Sequence, residues 1–286
     1  MVVVAQLVEL QIVDLAVTGS IPVDHPEISI RVQLSTIAQR GYTTDDMDIS
    51  LVIPAYNEEA SIGLCLDTAI ENSHGKFKEI IVVNNASTDK TVEVASRYPG
   101  VRVVTEMRKG TGHARQTGAE HASGEILAYI DADALIPEGW VEYIERTFER
   151  DPKVVFLSGA YRYHRHESGR YPAWLLDAIW WFTPPVYWIV GYIGNAGNCA
   201  MRADALKKIG GHDRALAFYG DDTDLARRFH TVGKTLWRMR FNNYSSARRF
   251  DQEGLAQMCL KYMINYWWPV LFHRPYTPGH HDLKRS

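Results

Sequence analysis

Ile126-Leu127-Ala128-Tyr129-Ile130-Asp131-Ala132-Asp133 is the stretch that decides the fold class of this chain. Five consecutive apolar residues read as a buried strand, and Leu135-Ile136-Pro137 closes the segment. Two carboxylates separated by one residue at the C-terminal edge of such a strand face the crevice where open α/β sheets bind ligands. Carboxylates there suit a hard divalent cation, which can in turn bridge phosphate oxygens, one way of holding a nucleoside diphosphate. An Asp-x-Asp pattern is common by chance, so its weight depends on what surrounds it.

Working outward, strands alternate with helices. Ile49 to Pro54 reads as a strand, and Glu58 to Asn72 as a helix with Ile62, Leu66 and Ala69 on one face. Glu79 to Val83 is a second strand, and Thr91 to Arg97 a helix after Ser87-Thr88-Asp89, good N-cap material. Val101 to Thr105, a helix over Gly112 to Ser123, and Glu125 to Ile130 complete the run. This alternation predicts an α/β class with a Rossmann-like, mainly parallel sheet flanked by helices and a ligand at the strand tips. Further on, Trp140 to Arg150 reads as a helix, Val154 to Tyr161 as a strand, Cys199 to Met201 as a short strand and Asp222 to Thr231 as a helix. The aromatic tail from Gln252 predicts a helix ending at Pro269.

At 286 residues, 46% apolar, 23% charged and a net charge of −3, the chain is ordinary for a globular protein and lacks the basic excess expected of a nucleic-acid binder. Cys65, Cys199 and Cys259 are far apart and odd in number, which argues against a disulfide framework and suits a reducing cytoplasm. The start lacks a basic n-region and Asp14 interrupts its apolar run, so no secretory signal is expected. Residues 1–46 match nothing that follows. They resemble the translation of a transfer-RNA gene, with Met47 as the working start, or else form a poorly ordered arm. Trp174 to Ile193 comes nearest to a membrane span, but Asp177 and Pro184-Pro185 break it.

Several motifs then line up with one family. Val52-Ile53-Pro54-Ala55-Tyr56-Asn57-Glu58-Glu59 resembles the opening motif of family 2 glycosyltransferases, which have the GT-A fold. Asn84-Asn85-Ala86-Ser87-Thr88-Asp89-Lys90-Thr91 and Gly110-Thr111-Gly112-His113-Ala114-Arg115-Gln116-Thr117-Gly118 are similar to its next two. After the Asp-x-Asp and the Gly194-to-Asn198 loop, Gly220-Asp221-Asp222-Thr223-Asp224-Leu225-Ala226-Arg227-Arg228 resembles its acidic motif near the active site. By this resemblance, Pro54, Ala55, Tyr56 and Glu58 line a nucleoside pocket, and Asn84 or Asn85 contacts the base edge. Gly110, Arg115 and Ala132 belong to the same nucleotide site, unless Arg115 merely pairs with a carboxylate within the fold; Asp131 meets ribose or metal, and Asp133 holds Mg²⁺ or Mn²⁺ on the diphosphate.

An inverting transfer needs a carboxylate to take the acceptor proton. The resemblance puts that base at Asp222, with Asp221 replacing the family's glutamate; adjacent carboxylates raise one another's pKa. A second reading makes Asp221, Asp222 and Asp224 merely acids suiting a helix dipole. Asn84 stands where the family has an acid, so its amide could match several bases. The Q-x-x-R-W pattern of processive synthases is missing, which favours single-sugar transfer.

The aromatic stretch around Trp180-Trp181 and Tyr187-Trp188 is either a sugar or lipid-acceptor wall or a core or dimer contact. Arg162-Tyr163-His164-Arg165-His166 suits an acceptor phosphate or anionic headgroups, or is a solvated loop; Arg248-Arg249 and His280-His281 are uncommitted. The expectation is a GT-A glycosyltransferase domain over 47–240 followed by a helical tail over 241–286. It would move one sugar, with inversion, from a nucleotide-sugar to a glycan or lipid-linked acceptor, in the cytoplasm or peripherally at the inner membrane face. Two rivals are a non-catalytic nucleotide-sugar or glycan-binding relative and a sugar-phosphate nucleotidyltransferase. The second wants a basic Gly-rich loop after strand one, where this chain has Pro54 to Glu59.

Overall fold

The run Ile49–Ala55 forms β1, and its alternate side chains part to the two faces of a sheet: Leu51 and Ile53 to one, Val52 to the other. Strands β2 (Phe77–Asn84) and β4 (Ile126–Ile130) divide in the same way, Val82 and Ile130 joining the first layer and Ile81 and Tyr129 the second. These residues belong to a computed structural model that describes residues 47–164, 170–214 and 221–272. The expected leader, residues 1–46, lies outside them, as do Arg165, His166, Gly220 and His280-His281.

The first face is covered by α1 (Ile62–Glu71) and, further along, α4 (Trp140–Arg150), through Leu66, Ile144 and Phe148. Between β2 and β3 (Val101–Thr105) runs the short α2 (Thr91–Ala95). The second face takes α3 (Thr111–His121), α7 (Ala203–Lys208) and α8 (Asp221–His230), through Ala114, Leu206 and Phe229. Each Val, Leu, Ile or Phe fully buried here stabilises by about 1.5–3 kcal/mol. Gly118 sets the approach of α3: a Cβ there would fall 2.2 Å from Val52 Cγ1.

The seven strands run in the order β3-β2-β1-β4-β6-β5-β7, with β5 Val154–His164, β6 Asn198–Arg202 and β7 Lys234–Ser246. All adjacent pairs are parallel except those of β6 with β4 and β5. The mainly parallel sheet flanked by helices is therefore as expected. β7 differs from expectation: its alternation is diluted by polar residues, and it crosses position 240, the expected limit of the glycosyltransferase domain. Its pairing with β5 shifts register at Gly159, where a Cβ would collide with the Phe241 carbonyl.

Two helix limits differ from expectation. Helix α1 begins at Ile62 rather than Glu58, because Asn57 adopts a left-handed φ of 53° and the Asn57 and Glu58 amides donate to Ser87 Oγ and Thr91 Oγ1. The final helix, α10 (Leu255–Phe272), continues past Pro269, whose missing N–H costs one bond within its last turn. Before it lie α9 (Arg248–Glu253), α5 (Ala173–Ala178), a 3₁₀ turn (Ile179–Phe182) and α6 (Thr183–Val190). Among the described residues no helix is long and apolar enough to cross a membrane.

Candidate active site

The tips of β1, β2 and β4 meet at a cleft of about 120 Å³ lined by Pro54, Ala55, Tyr56, Glu58, Asn85 and Asp131 to Asp133. Its loops are fastened to one another by side chains. Asn85 donates through Nδ2 to the Glu106 and Arg108 carbonyls (3.1 and 2.7 Å), and its Oδ1 accepts from the Gly110 amide at 2.8 Å. Asn84 accepts from the Ser87 amide at 3.0 Å and does not line the cleft. Gly110, at φ 134°, starts α3 and serves through its N–H bond to Asn85. Lys109 donates to Tyr56 Oη at 2.9 Å, and its ammonium lies over the ring. Behind the cleft, buried Glu106 accepts from Arg108 and Thr117, and the Arg108 hydrogen bonds hold its carboxyl well below the usual range.

Five carboxylates from three places in the chain gather around the cleft and a larger cavity beside it: Glu58, Asp131 and Asp133, and Asp221 and Asp222. Asp133 and Glu58 share the Arg248 guanidinium, with Nη2 at 2.9 Å from Asp133 Oδ2 and 3.0 Å from Glu58 Oε2. Burial and the neighbouring Asp131 and Glu58 charges raise the Asp133 pKa, and Arg248 offsets part of this. Asp131 accepts from Tyr161 Oη at 3.0 Å and lies 3.5 Å from Arg115 Nη2. Arg115, 7% exposed, makes its short ion pair (2.6 Å) with Asp221. So Arg115 ties the acidic start of α8 to the Asp-x-Asp turn, which sequence reading left open. Two glycines allow the approach: a Cβ on Gly197 would lie 2.1 Å from Asp131 Oδ2, and one on Gly194 1.9 Å from the Asp222 carbonyl.

Among the described residues Asp222 has no salt bridge of its own. Burial first, then the charge on Asp221, push its carboxyl up to about 8, against the pull of Arg115 and an Ala196 N–H. It lines a second, larger cavity of about 490 Å³ that Asp131, Asp133 and Arg115 also border. That cavity's far walls are Ile179, Trp180 and Phe182 of the 3₁₀ turn, Val186 of α6, and Tyr262, Met263 and Tyr266 of α10.

The GT-A resemblance implies a divalent cation, and the residues suit one. Asp133 carries two carboxylate neighbours and a single guanidinium, a surplus of negative charge that a hard cation relieves. Among the described residues no three His, Cys, Asp or Glu side chains form a metal cluster, so a cation would take its other ligands from phosphate and water.

Sequence reading did not single out Tyr161 or Glu106, and it left Arg248 uncommitted. Arg248 lies 190 positions from Glu58 and 115 from Asp133, separations that carry no local signal.

Residues 50–210 match the sequence profile described as glycosyl transferase family 2, and the chain belongs to that family. It is 37% identical over 100 residues to glycosyltransferase AglE of Haloferax volcanii, a match covering 33% of each protein. It is 30% identical over 165 residues to the undecaprenyl-phosphate 4-deoxy-4-formamido-L-arabinose transferase of Shewanella sediminis, covering 54% of this chain and 47% of that one. The matches thus span from a third to just under half of these curated relatives. The fold is that of the Pyrobaculum calidifontis mannosyltransferase PcManGT, solved with GDP-Man and Mn²⁺. Its TM-score is 0.61 at 19% identity, over 94% of this chain and 77% of that one.

Proposed function

We propose that this protein transfers a single sugar, with inversion, from a nucleotide-sugar to an acceptor hydroxyl with the help of Mg²⁺ or Mn²⁺. The observation that carries this reading is Asp222, a carboxyl of raised proton affinity facing the larger cavity, while the Asp-x-Asp turn borders both cavities. The donor's nucleoside lies against Pro54, Ala55 and Tyr56, with its diphosphate beside Asp131 and Asp133. A cation bound at Asp133 would offset charge on the departing diphosphate. The acceptor enters the larger cavity, and Asp222 takes its hydroxyl proton as that oxygen bonds to the anomeric carbon. The bond from that carbon to the diphosphate oxygen breaks, and the electron pair leaves with the diphosphate. Arg115 holds Asp221 as an ion pair, which keeps the neighbouring Asp222 as the proton acceptor.

A relative acting on undecaprenyl phosphate and a fold neighbour solved with GDP-Man and Mn²⁺ support the donor, metal and acceptor classes. The test is a pair of variants. Asp222→Asn should bind nucleoside diphosphate with Mn²⁺ and lose transfer; Asp133→Ala should lose the metal-dependent part of binding. Normal turnover by both would remove this reading.

A further inference from the structure

The larger cavity opens where the protein is least protein-like on its surface. In the 3₁₀ turn and α6, residues 179–190, no side chain is fully buried, and Asp177 is the only charge between Ala173 and Ile193. Trp181, Phe182, Trp188 and Ile189 are 72%, 77%, 85% and 79% exposed. An exposed apolar patch of this kind marks an interaction site. Phe182 and, across from it on α10, Met263 (60% exposed) are both exposed and line the cavity, so its mouth is apolar. The inner end of the same cavity is Asp131, Asp133 and Asp222. One continuous surface therefore runs from an outward Trp-rich face to the reacting groups.

Resting on the transferase reading, we propose that the acceptor is lipid-anchored. Its polar head sits by Asp222, its apolar tail leaves between Phe182 and Met263, and the Trp181–Trp188 face lies in the headgroup region of a bilayer. Trp favours that region because its ring is apolar and its N–H polar. A second protein chain on this face would seal the mouth, whereas a bilayer leaves it open to the tail. The sequence after α10 agrees in charge: residues 273–286 carry Arg274, Lys284 and Arg285 against one acid, Asp282, which suits anionic headgroups.

The experiment is flotation of the full chain with phosphatidylethanolamine/phosphatidylglycerol vesicles, alongside binding of octyl and methyl β-D-glucoside below the micelle concentration. The wild type should float, and Trp181→Ser/Trp188→Ser should bind vesicles at least tenfold more weakly. The octyl glycoside should bind at least tenfold tighter than the methyl one, and Phe182→Asp/Met263→Asp should abolish that preference. A wild type that stays unbound, a Trp variant that floats equally well, or indifference to the tail would overturn the proposal. The thermal shift of the same samples with nucleoside diphosphate and Mn²⁺ reports separately on the transferase reading. If that shift is intact while the vesicle and tail effects are absent, only the lipid proposal falls.

Discussion

The two sides of the cleft are built on opposite principles. On the side proposed for the nucleotide, loops at the tips of β1, β2 and β4 are cross-bonded through Asn57, Asn85, Thr91 and Glu106. On the side proposed for the acceptor, short helices and a 3₁₀ turn expose large aromatic rings and use few polar contacts among the described residues. The difference teaches where rigidity is needed. A charged diphosphate must be met by groups already in place, because reorganising charges in a low-dielectric cleft is costly. An apolar occupant is held by contact area, which tolerates looser walls.

The largest effect that would break this contrast is at Asp222. Asp222→Asn should lower kcat by about 10²–10⁴-fold, the usual worth of a general base, with nucleotide binding unchanged. Comparable loss of binding would mean that Asp222 belongs to the nucleotide side.

Gly197→Ala comes next. Its Cβ would meet Asp131 Oδ2 at 2.1 Å and Tyr161 Oη at 2.0 Å, so the Asp-x-Asp turn must move. Transfer should fall by about tenfold or more, the scale of a small misplacement of reacting groups. Metal-dependent nucleotide binding measured by calorimetry should weaken with it.

The pH profile separates the two sides as well. Asp222 must be ionised to accept a proton, so kcat in the metal-saturated enzyme should climb with a slope of about tenfold per pH unit below its pKa. That pKa should lie at or below about 8, because a bound cation favours the carboxylate. For stability the sign is opposite. A carboxyl raised from 3.8 to about 8 in the fold favours the folded state at low pH, and that contribution is lost as pH rises across this window. Denaturant titrations of Asp222→Asn should therefore lack this slope.

Arg248→Met should act more gently. Its guanidinium occupies Asp133 and Glu58 in the free protein, so removing it should tighten Mn²⁺ binding several-fold without nucleotide, as read by Mn²⁺ electron paramagnetic resonance. Unchanged affinity would show that guanidinium and metal do not compete.

The smallest effect is on stability at the exposed face. Trp188→Ser, at a side chain 85% exposed, should change unfolding free energy by less than about 0.5 kcal/mol. Phe156→Ala, fully buried and stacked on Phe229, should cost about 3–5 kcal/mol.

Much of the cleft at the tips of β1, β2 and β4 was legible in the sequence because it is local. Apolar strands ending on Ala55, Asn84 and Ile130 mark their own tips, and the motifs follow within a few residues. Helix α4 ran from Trp140 to Arg150 as its apolar period predicted. The network was not legible where it depends on distance along the chain. Arg115 meets Asp221 106 positions away, and Tyr161 meets Asp131 from a strand that β6 separates from β4 in the sheet. Nor does sequence say where a side chain is spent: Asn84 or Asn85 reads as base-facing, and in the structure both also fasten loops, with Asn85 lining the cleft.

The most direct test of the central claim is calorimetric titration of UDP and GDP, each with and without Mn²⁺, into wild type, Asp133→Ala and Asp222→Asn. Metal-dependent binding of at least one nucleotide by wild type and Asp222→Asn, and its loss in Asp133→Ala, is the predicted result. Binding by Asp133→Ala equal to wild type, or no binding by any of the three folded proteins, would contradict it.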